Sequence, residues 1–549
     1  MKLNSSIFIA LAFATQSALA VPGPATTVVV ANANDQDSVA LAERYSAQRN
    51  VPSSGVCLLD LPAEVDMGLD AFEARWMTPL MACLGARADQ IEAVVLVRGV
   101  PLRVGIPVDG RTHRVSAAAA VSTWRTEMGN GRPMRGVAPG MEMRCGNQAC
   151  LGPRFENPYR EGVFTPGWQR FAAGVNWRPV LVTMLHGRSY EDAGRLLDSA
   201  LAGEQAEAMA GTFLLMRGAD PARSARDDEL EPVAAALSGL GIDVEIVPFD
   251  AESTGHRLGA FVTGSARLGD VIEGNEFAPG ALADNVTSYG ALPVNFMTEG
   301  QQQVSIARWV AQGVAGVHGT TDEPLSHVFP SRQFLVDYAQ GMTLAESYHR
   351  NMPFAYWRNL VLGDPMTAPY AARPRVDVDG LVEGELLRSG ARLTVSAEPT
   401  GEDPVMSLAL YVDGLLVERT DGDNLSLCLR APAREVQVLV VAQTGGAYPA
   451  KGWMAYDVTG AGVDVACPSP PDAALVSDMG GLDAGPSGVV DASMDTRLTG
   501  PDQGRVSSDV GEPEMTSEDG DANGGCSAQG APSQLLPLLG VLLIACRRR

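Results

Sequence analysis

Between residues 26 and 370, short apolar runs alternate with longer stretches of helical spacing. Strands separated by helices need crossover connections, which make neighbouring strands parallel and lay helices over both faces of the sheet. Runs at 26–31, 55–59, 93–97, 180–185, 211–216, 244–247, 259–263, 313–317 and 357–362 read as strands. Helices are expected over 37–48, 71–84, 190–202, 227–240, 279–288, 302–312, 332–340 and 343–350. Asp35 or Asp37 can cap the first of these. Pro279 sits in the opening turn of the 279–288 segment, where a missing N–H is tolerated. Residues 103–178 are rich in Gly, Pro and Arg, with little period. A segment this long inside a domain is functional or covers the sheet.

After residue 372 the pattern changes. Short alternating runs at 393–396, 407–412, 425–429, 436–441 and 454–458, with the turn signal Asp413-Gly414, read as a small all-β sandwich of immunoglobulin-like architecture. The expected layout is an α/β domain over 21–372, a β-sandwich over 373–467, an acidic stalk over 468–525 and a terminal signal over 526–549. The stalk has no aromatic residue and carries 12 Asp/Glu against 2 Arg, or −10 of the formal −24. It cannot bury enough apolar surface to fold, so it reads as disordered.

The two ends give an address. Lys2, an apolar stretch over 7–14 and the small-x-small triplet Ala18-Leu19-Ala20 form a secretory signal covering residues 1–20, against the alternative of a core helix. Export permits disulfides. Spacing does not fix the pairing; the pairs expected are Cys145–Cys150, which closes a small polar loop, Cys428–Cys467 within one domain, and Cys57–Cys83, with zinc the alternative for Cys145 and Cys150. At the other end Cys526 precedes an apolar run over 535–545 and Arg547-Arg548-Arg549. That run is short for a bilayer span, and the order suits a cleaved sorting signal. The acidic chain repels phosphate backbones, so no nucleic-acid partner is expected. No glycine-rich phosphate loop opens a helix, so no nucleotide cofactor is expected.

Ligands of open α/β sheets bind beyond the carboxyl ends of strands. The stretch Gly313-Val314-Ala315-Gly316-Val317-His318-Gly319-Thr320-Thr321-Asp322-Glu323-Pro324 reads as a buried strand stopping in a polar loop. His318, Asp322, Glu323 and Asp364 are therefore the candidate catalytic residues. Arg98, Asn34, Asn275 and Thr320 are the candidate substrate contacts, since Arg98 at a strand end can pair with a carboxylate. Ser326, His318 and Asp322 or Asp364 could form a triad, but there is no Gly-x-Ser-x-Gly elbow. His318, Asp322, Glu323 and His327 could bind a metal, although a loop makes their spacing uninformative; no metal is assigned. The plainer alternatives are that His318 donates to a backbone carbonyl, Arg98 is an internal strut and Asp364 forms a turn.

Two resemblances add to this. The tail, with Cys526, the apolar run and three arginines, resembles the myxobacterial C-terminal sorting signal (MYXO-CTERM type). That resemblance implies a sorting protease acting at Cys526 and a lipid-linked membrane anchor at the cell surface. Val95-Leu96-Val97-Arg98-Gly99-Val100-Pro101-Leu102, Pro279-Gly280-Ala281-Leu282-Ala283-Asp284, Thr287-Ser288-Tyr289-Gly290, Gly319-Thr320-Thr321-Asp322-Glu323-Pro324 and Val361-Leu362-Gly363-Asp364-Pro365 are similar to an uncharacterised secreted bacterial family, to which no activity is attached. More distantly, the order of elements resembles the caspase/gingipain-like cysteine peptidases. These carry a His-Gly after one strand and a cysteine after the next. Here His186-Gly187 and His318-Gly319 are present, but no cysteine lies between Cys150 and Cys428, so the implied nucleophile is absent. The favoured expectation is a surface-displayed protein that binds a peptide or glycan at the strand ends. The alternatives are a hydrolase using His318 with Asp322 or Glu323, and a structural envelope protein.

Overall fold

A ten-stranded, mostly parallel sheet forms the centre of the molecule. A computed structural model describes residues 21–108, 111–123, 155–157, 179–205, 211–298, 303–387 and 391–462. The strands are β1 (Thr27–Asn32), β2 (Val56–Leu59), β3 (Ala93–Val97), β4 (Leu181–Leu185), β5 (Thr212–Gly218), β6 (Val244–Val247), β7 (Arg257–Gly264), β8 (Glu276–Asn285), β9 (Gly316–Thr320) and β10 (Asn359–Gly363). Their spatial order is β6-β5-β7-β8-β9-β10-β4-β3-β1-β2. Every pair from β6 to β9 is parallel, as is every pair from β4 to β2. β10 lies between these blocks, antiparallel to β9, with Leu362 beside Met184 of β4.

Burial explains the run-like sequences. β1, β3, β4, β9 and β10 are buried at every position, which a strand covered on both faces requires. Alternate residues feed two cores. Phe261, Ala283, Val317 and Leu362 pack with Leu196 and Trp309 on one face. Val262, Leu282 and Val361 pack with Phe334, Leu344 and Tyr348 on the other. Helix α1 (Gln36–Arg49) begins where Asp35 accepts the backbone N–H groups of Asp37 and Ser38, and it ends at Asn50 with φ 55°. Helix α2 (Tyr190–Gln205) follows β4, and α3 (Gln333–Ala339) and α4 (Leu344–Asn351) precede β10.

Two expectations are corrected. Residues 279–288 are not a helix: most of them belong to strand β8. Between two parallel neighbours, β7 and β9, sheet pairing overrides the helix preference of Ala and Leu. Small residues there admit α2, since a Cβ on Gly203 would lie 2.7 Å from the Gly280 Cα. The 313–317 strand is displaced to 316–320, which places His318 inside it rather than in a loop. Part of the 103–178 segment is also regular: Arg103–Val108 and Arg111–Ser116 form a three-stranded sheet with Asp66–Gly68.

After the α/β core come two antiparallel-rich sheets of three and five strands, facing one another around a core that includes Leu393, Val395, Leu408 and Val438. The Ser54 hydroxyl donates to the Asp413 carbonyl at 2.6 Å and Trp453 Nε1 to Asn50 Oδ1 at 3.2 Å, joining this part to the α/β core. Cys57 and Cys83 form a disulfide, tying β2 to the helix Thr78–Leu84. Cys428 is disulfide-bonded. Cys145, Cys150, Cys467, Cys526, the leader, the stalk and the terminal signal lie outside the described residues.

Candidate functional site

Contacts place the carboxyl ends of both strand blocks at one edge of the sheet. Arg103, which follows β3, donates through Nη1 to the Thr321 carbonyl just after β9 at 3.2 Å. Phe296, from the helix after β8, stands edge-on to the His186 ring just after β4, with centroids 4.6 Å apart. At this edge the tips of β1 to β4 are stitched together. Asn32 donates through Nδ2 to the Gly99 carbonyl at 2.9 Å. Its Oδ1 accepts the N–H of Asn34 at 3.1 Å and of Leu61 at 3.3 Å. Gly99 has φ +103°, and a Cβ there would lie 2.9 Å from the Tyr190 hydroxyl and 3.0 Å from Ser38. Glycine is the residue that fits both constraints.

A cleft of about 820 Å³ opens beyond these tips, lined among others by Asn34, Glu64, Arg75, Arg98, His186 and Tyr190. The Arg98 guanidinium lies over the Tyr190 ring at 5.2 Å and donates to the Gly187 carbonyl. The Tyr190 hydroxyl donates to Asp35 and lies 3.3 Å from the Arg98 carbonyl. Burial, then the Asp35 hydrogen bond, pushes this phenol well above its ordinary value, so it stays a donor. His186 is 4% exposed, and its Nδ1 is buried without a hydrogen-bond partner. Burial and the neighbouring Arg98 charge pull its pKa down to about 3, so the ring is neutral at physiological pH. Asn34 donates to Asp60 at 2.5 Å and to the Leu61 carbonyl at 3.1 Å. That bond, with Arg75, holds the Asp60 carboxyl below its usual range.

Of the expected site residues, Arg98 and Asn34 line this cleft. The others are placed elsewhere. His318 is fully buried, with Nδ1 2.8 Å from Asp284 Oδ1 and Nε2 3.1 Å from Asn359 Oδ1. Both ring nitrogens are engaged inside the sheet, beneath Phe329 at 5.5 Å. Arg332 donates to the other Asp284 oxygen and to the Thr263 carbonyl. Burial alone would raise the Asp284 carboxyl, but Arg332 and His318 together hold it below its ordinary value.

Thr320 is buried and donates to the Ser288 carbonyl at 2.7 Å. Glu323 is exposed and accepts the Ser288 hydroxyl at 2.7 Å. Its contact is the first cause pushing the Tyr289 phenol up to about 12. Asp322 accepts the Glu323 N–H at 2.9 Å. These three lie near the tip of β9 but do not reach the buried imidazole. Asp364 does not join them either. β10 runs back from Asn359, beside Thr320, and delivers Asp364 to the amino edge, where it meets Tyr45 and Arg49 of α1. Asn275, just before β8, holds a loop through His256 N, the Ser253 carbonyl and the Val271 carbonyl. Among the described residues, no group of three His, Cys, Asp or Glu is arranged to hold a metal.

Sequence reasoning noted His186 only as part of a His-Gly pair and did not place it in the site; it missed Tyr190 at the cleft, and Asp284, Arg332 and Asn359 around His318. His186 had a legible signal: it follows directly on the apolar run of β4, as Arg98 follows that of β3. Asp284 had none, because its partners are set by the register of three strands.

No family model and no curated protein matches the chain. Among solved structures, one described as "Structure of Protease" is similar with a TM-score of 0.39 at 13% identity, over 79% of this chain and 98% of that one. Fibronectin(III)-like modules of Clostridium thermocellum CbhA give a TM-score of 0.15 at 10% identity, over 20% of this chain and 54% of theirs. The Clostridium perfringens spore cortex lytic enzyme SleM gives 0.15 at 8% identity, over 51% and 79%.

Proposed function

We propose that the chain is an exported protein displayed at the cell surface, anchored to the membrane after a sorting protease acts at Cys526. In this reading its α/β core is a caspase-like fold without the cysteine, and the immunoglobulin-like part is a spacer. The core binds a peptide or glycan in the cleft at the carboxyl ends of β1 to β4. The observation that carries the reading is the cleft itself: about 820 Å³, with a stacked guanidinium and a neutral imidazole on its wall. Sites that bind small ligands have this form, a concavity with a few fixed polar groups. Its described lining contains no Ser, Thr or Cys for His186 to activate, so binding fits better than acyl transfer. The test is to screen the full chain against peptide and glycan arrays, beside Ala63→Trp, which fills the cleft from its wall. Ligands should be retained by the native chain and lost by the variant. Ligands retained equally by both, or none at all, would end this reading.

A further inference from the structure

Resting on that reading of the cleft, we propose that the Cys57–Cys83 disulfide is its redox control: closed, it holds one wall of the cleft against the other; opened by thiol exchange, it frees that wall, and ligand is lost while the ten-stranded sheet stays folded.

The two walls are built differently. The inner wall comes from the tips of β1, β3 and β4 and the start of α1. The outer wall is Leu61, Pro62, Ala63, Glu64, Val65 and Arg75. All six lie inside the loop that the disulfide closes, 26 positions long. Strand β2 leads into this wall. Among the described residues it is the end strand of the sheet, paired with β1 alone. Cys57 and Leu59 are its two buried residues, so half of its anchorage is the bridged cysteine itself.

Beyond β2 the ties to the inner wall are light. The Leu61 carbonyl accepts Asn34 Nδ2 at 3.1 Å, and the Val65 carbonyl accepts the Leu102 N–H at 2.9 Å. The Asp60–Arg75 pair, at 3.0 Å, is exposed, and such pairs contribute little. Ala63, Glu64 and Val65 are exposed. Arg75 stands in a wide π-helical turn, Glu73–Met77, a geometry that recurs at functional sites. Segments with few buried apolar contacts open first, and a bridge across such a loop removes many of its open states. The helical part of the loop has its own anchors: Phe72, Trp76 and Leu80 are fully buried in the main core. Opening the bridge therefore loosens β2 and residues 60–66 and leaves the helices and the sheet in place.

The bridge can be reached from solvent. Cys83 is exposed near the end of the helix Thr78–Leu84, whereas Cys57 is buried. Exposed disulfides are the labile ones. A thiolate of a small dithiol attacks the Cys83 sulfur, the S–S bond breaks, and Cys57 leaves as a thiolate that takes a proton. The second thiol of the reagent then displaces Cys83, which is protonated in turn. Two electrons pass from the dithiol, which ends as a cyclic disulfide.

The experiment is hydrogen exchange read by mass spectrometry on the full chain, oxidised and after dithiothreitol, beside Cys57→Ala/Cys83→Ala. The double variant opens this bridge and keeps Cys428, which is also disulfide-bonded. Alkylation of the treated chain reports which cysteines have opened. A labelled array ligand that Ala63→Trp loses is followed on the same samples by fluorescence polarisation. In both opened forms exchange at residues 60–66 should rise at least about tenfold, with β1, β3 and β4 unchanged. The labelled ligand should bind at least about tenfold more weakly. If the double variant does not fold, the native chain reduced after folding supplies the opened form. A Cys57–Cys83 bridge that millimolar dithiothreitol leaves closed in the folded chain overturns the redox control. Unchanged exchange at 60–66, or ligand binding that survives opening, also overturns it and leaves the cleft reading standing. Exchange that rises equally in β1, β3 and β4 makes the bridge a staple of the whole sheet and overturns it too. Absence of any array ligand sensitive to Ala63→Trp overturns the cleft reading itself, whatever the exchange shows.

Discussion

Arg49 and Asp364 meet at the amino edge of the sheet, 315 positions apart in the chain, with Nε 2.5 Å from Oδ2. Both side chains are buried. The Tyr45 hydroxyl donates to the other Asp364 oxygen at 2.6 Å, the Met366 N–H donates there at 3.0 Å, and Arg49 also reaches Glu204. The Leu-Gly-Asp-Pro that closes the α/β core is thus a latch between β10, α1 and α2. Breaking one side of a buried pair leaves the other charge without compensation and costs about 3–5 kcal/mol. Asp364→Asn should lose stability of that order, and Tyr45→Phe about 1 kcal/mol. Urea unfolding of the full chain measures both. Neither variant should alter ligand affinity at the cleft, because the latch is at the opposite edge.

A pH dependence follows from Glu346. Its carboxylate accepts the N–H and hydroxyl of Thr343 at the start of α4, at 3.0 and 2.8 Å. Burial outweighs these bonds and pushes its carboxyl up to about 7. An unfolded glutamate titrates near about 4.3. Between those values the folded chain keeps a proton that the unfolded chain releases, so stability falls as pH rises through the window. At about 1.4 kcal/mol per unit the loss is on the order of 4 kcal/mol and is complete above pH 7. Glu346→Gln keeps a capping group but cannot ionise. Unfolding free energies at pH 5 and pH 8 should differ more for the native chain than for the variant; equal differences would refute the assignment.

Much of this was readable from the residues, and the failures have identifiable causes. β1, β3 and β4 are continuous apolar runs because helices cover both faces, so their ends, and Arg98 and Asn34 just beyond them, could be located. β8 was misread because Pro279, Ala281, Leu282 and Ala283 carry helical preferences; burial of the strand between β7 and β9 prevailed. His318 was expected in a loop because a polar residue normally ends a buried run. Here Asp284 and Asn359 satisfy both ring nitrogens, so the strand continues through it. Asp364 was grouped with His318 on the assumption that every strand points the same way. The direction of β10 depends on its antiparallel pairing with β9, and no local pattern records that.

Asp284 gives an acid limb of opposite sign to Glu346. Its carboxyl is held below the ordinary value by Arg332 and His318 against the effect of burial. The stability it contributes is present above the unfolded value of about 3.9 and is lost as pH falls through the lower folded value. Asp284→Asn should destabilise the chain by about 3–5 kcal/mol at pH 7, since Arg332 is left buried without its carboxylate. The gap between native and variant should narrow below about pH 4, as the native carboxylate is protonated too. Chemical unfolding at pH 7 and pH 3 checks this, and a constant gap would contradict it.

The sharpest link between backbone and cleft is Gly99. Its φ of +103° is one that an L side chain rarely adopts, and a Cβ would crowd the Tyr190 hydroxyl at 2.9 Å and Ser38 at 3.0 Å. Tyr190 supports the Arg98 guanidinium, so displacing it moves the cation on the cleft wall. Gly85 provides the comparison: its φ is +49°, but nothing lies within 4 Å of an added Cβ. Gly85→Ala should show backbone strain alone, about 1 kcal/mol, with ligand binding intact. Gly99→Ala should lose about 1–3 kcal/mol or more and weaken cleft binding at least about tenfold, because strain and collision act together. Urea unfolding and polarisation on the two variants separate the effects. If Gly99→Ala binds as the native chain does, Tyr190 does not position Arg98, and the cleft wall is more tolerant than its packing implies.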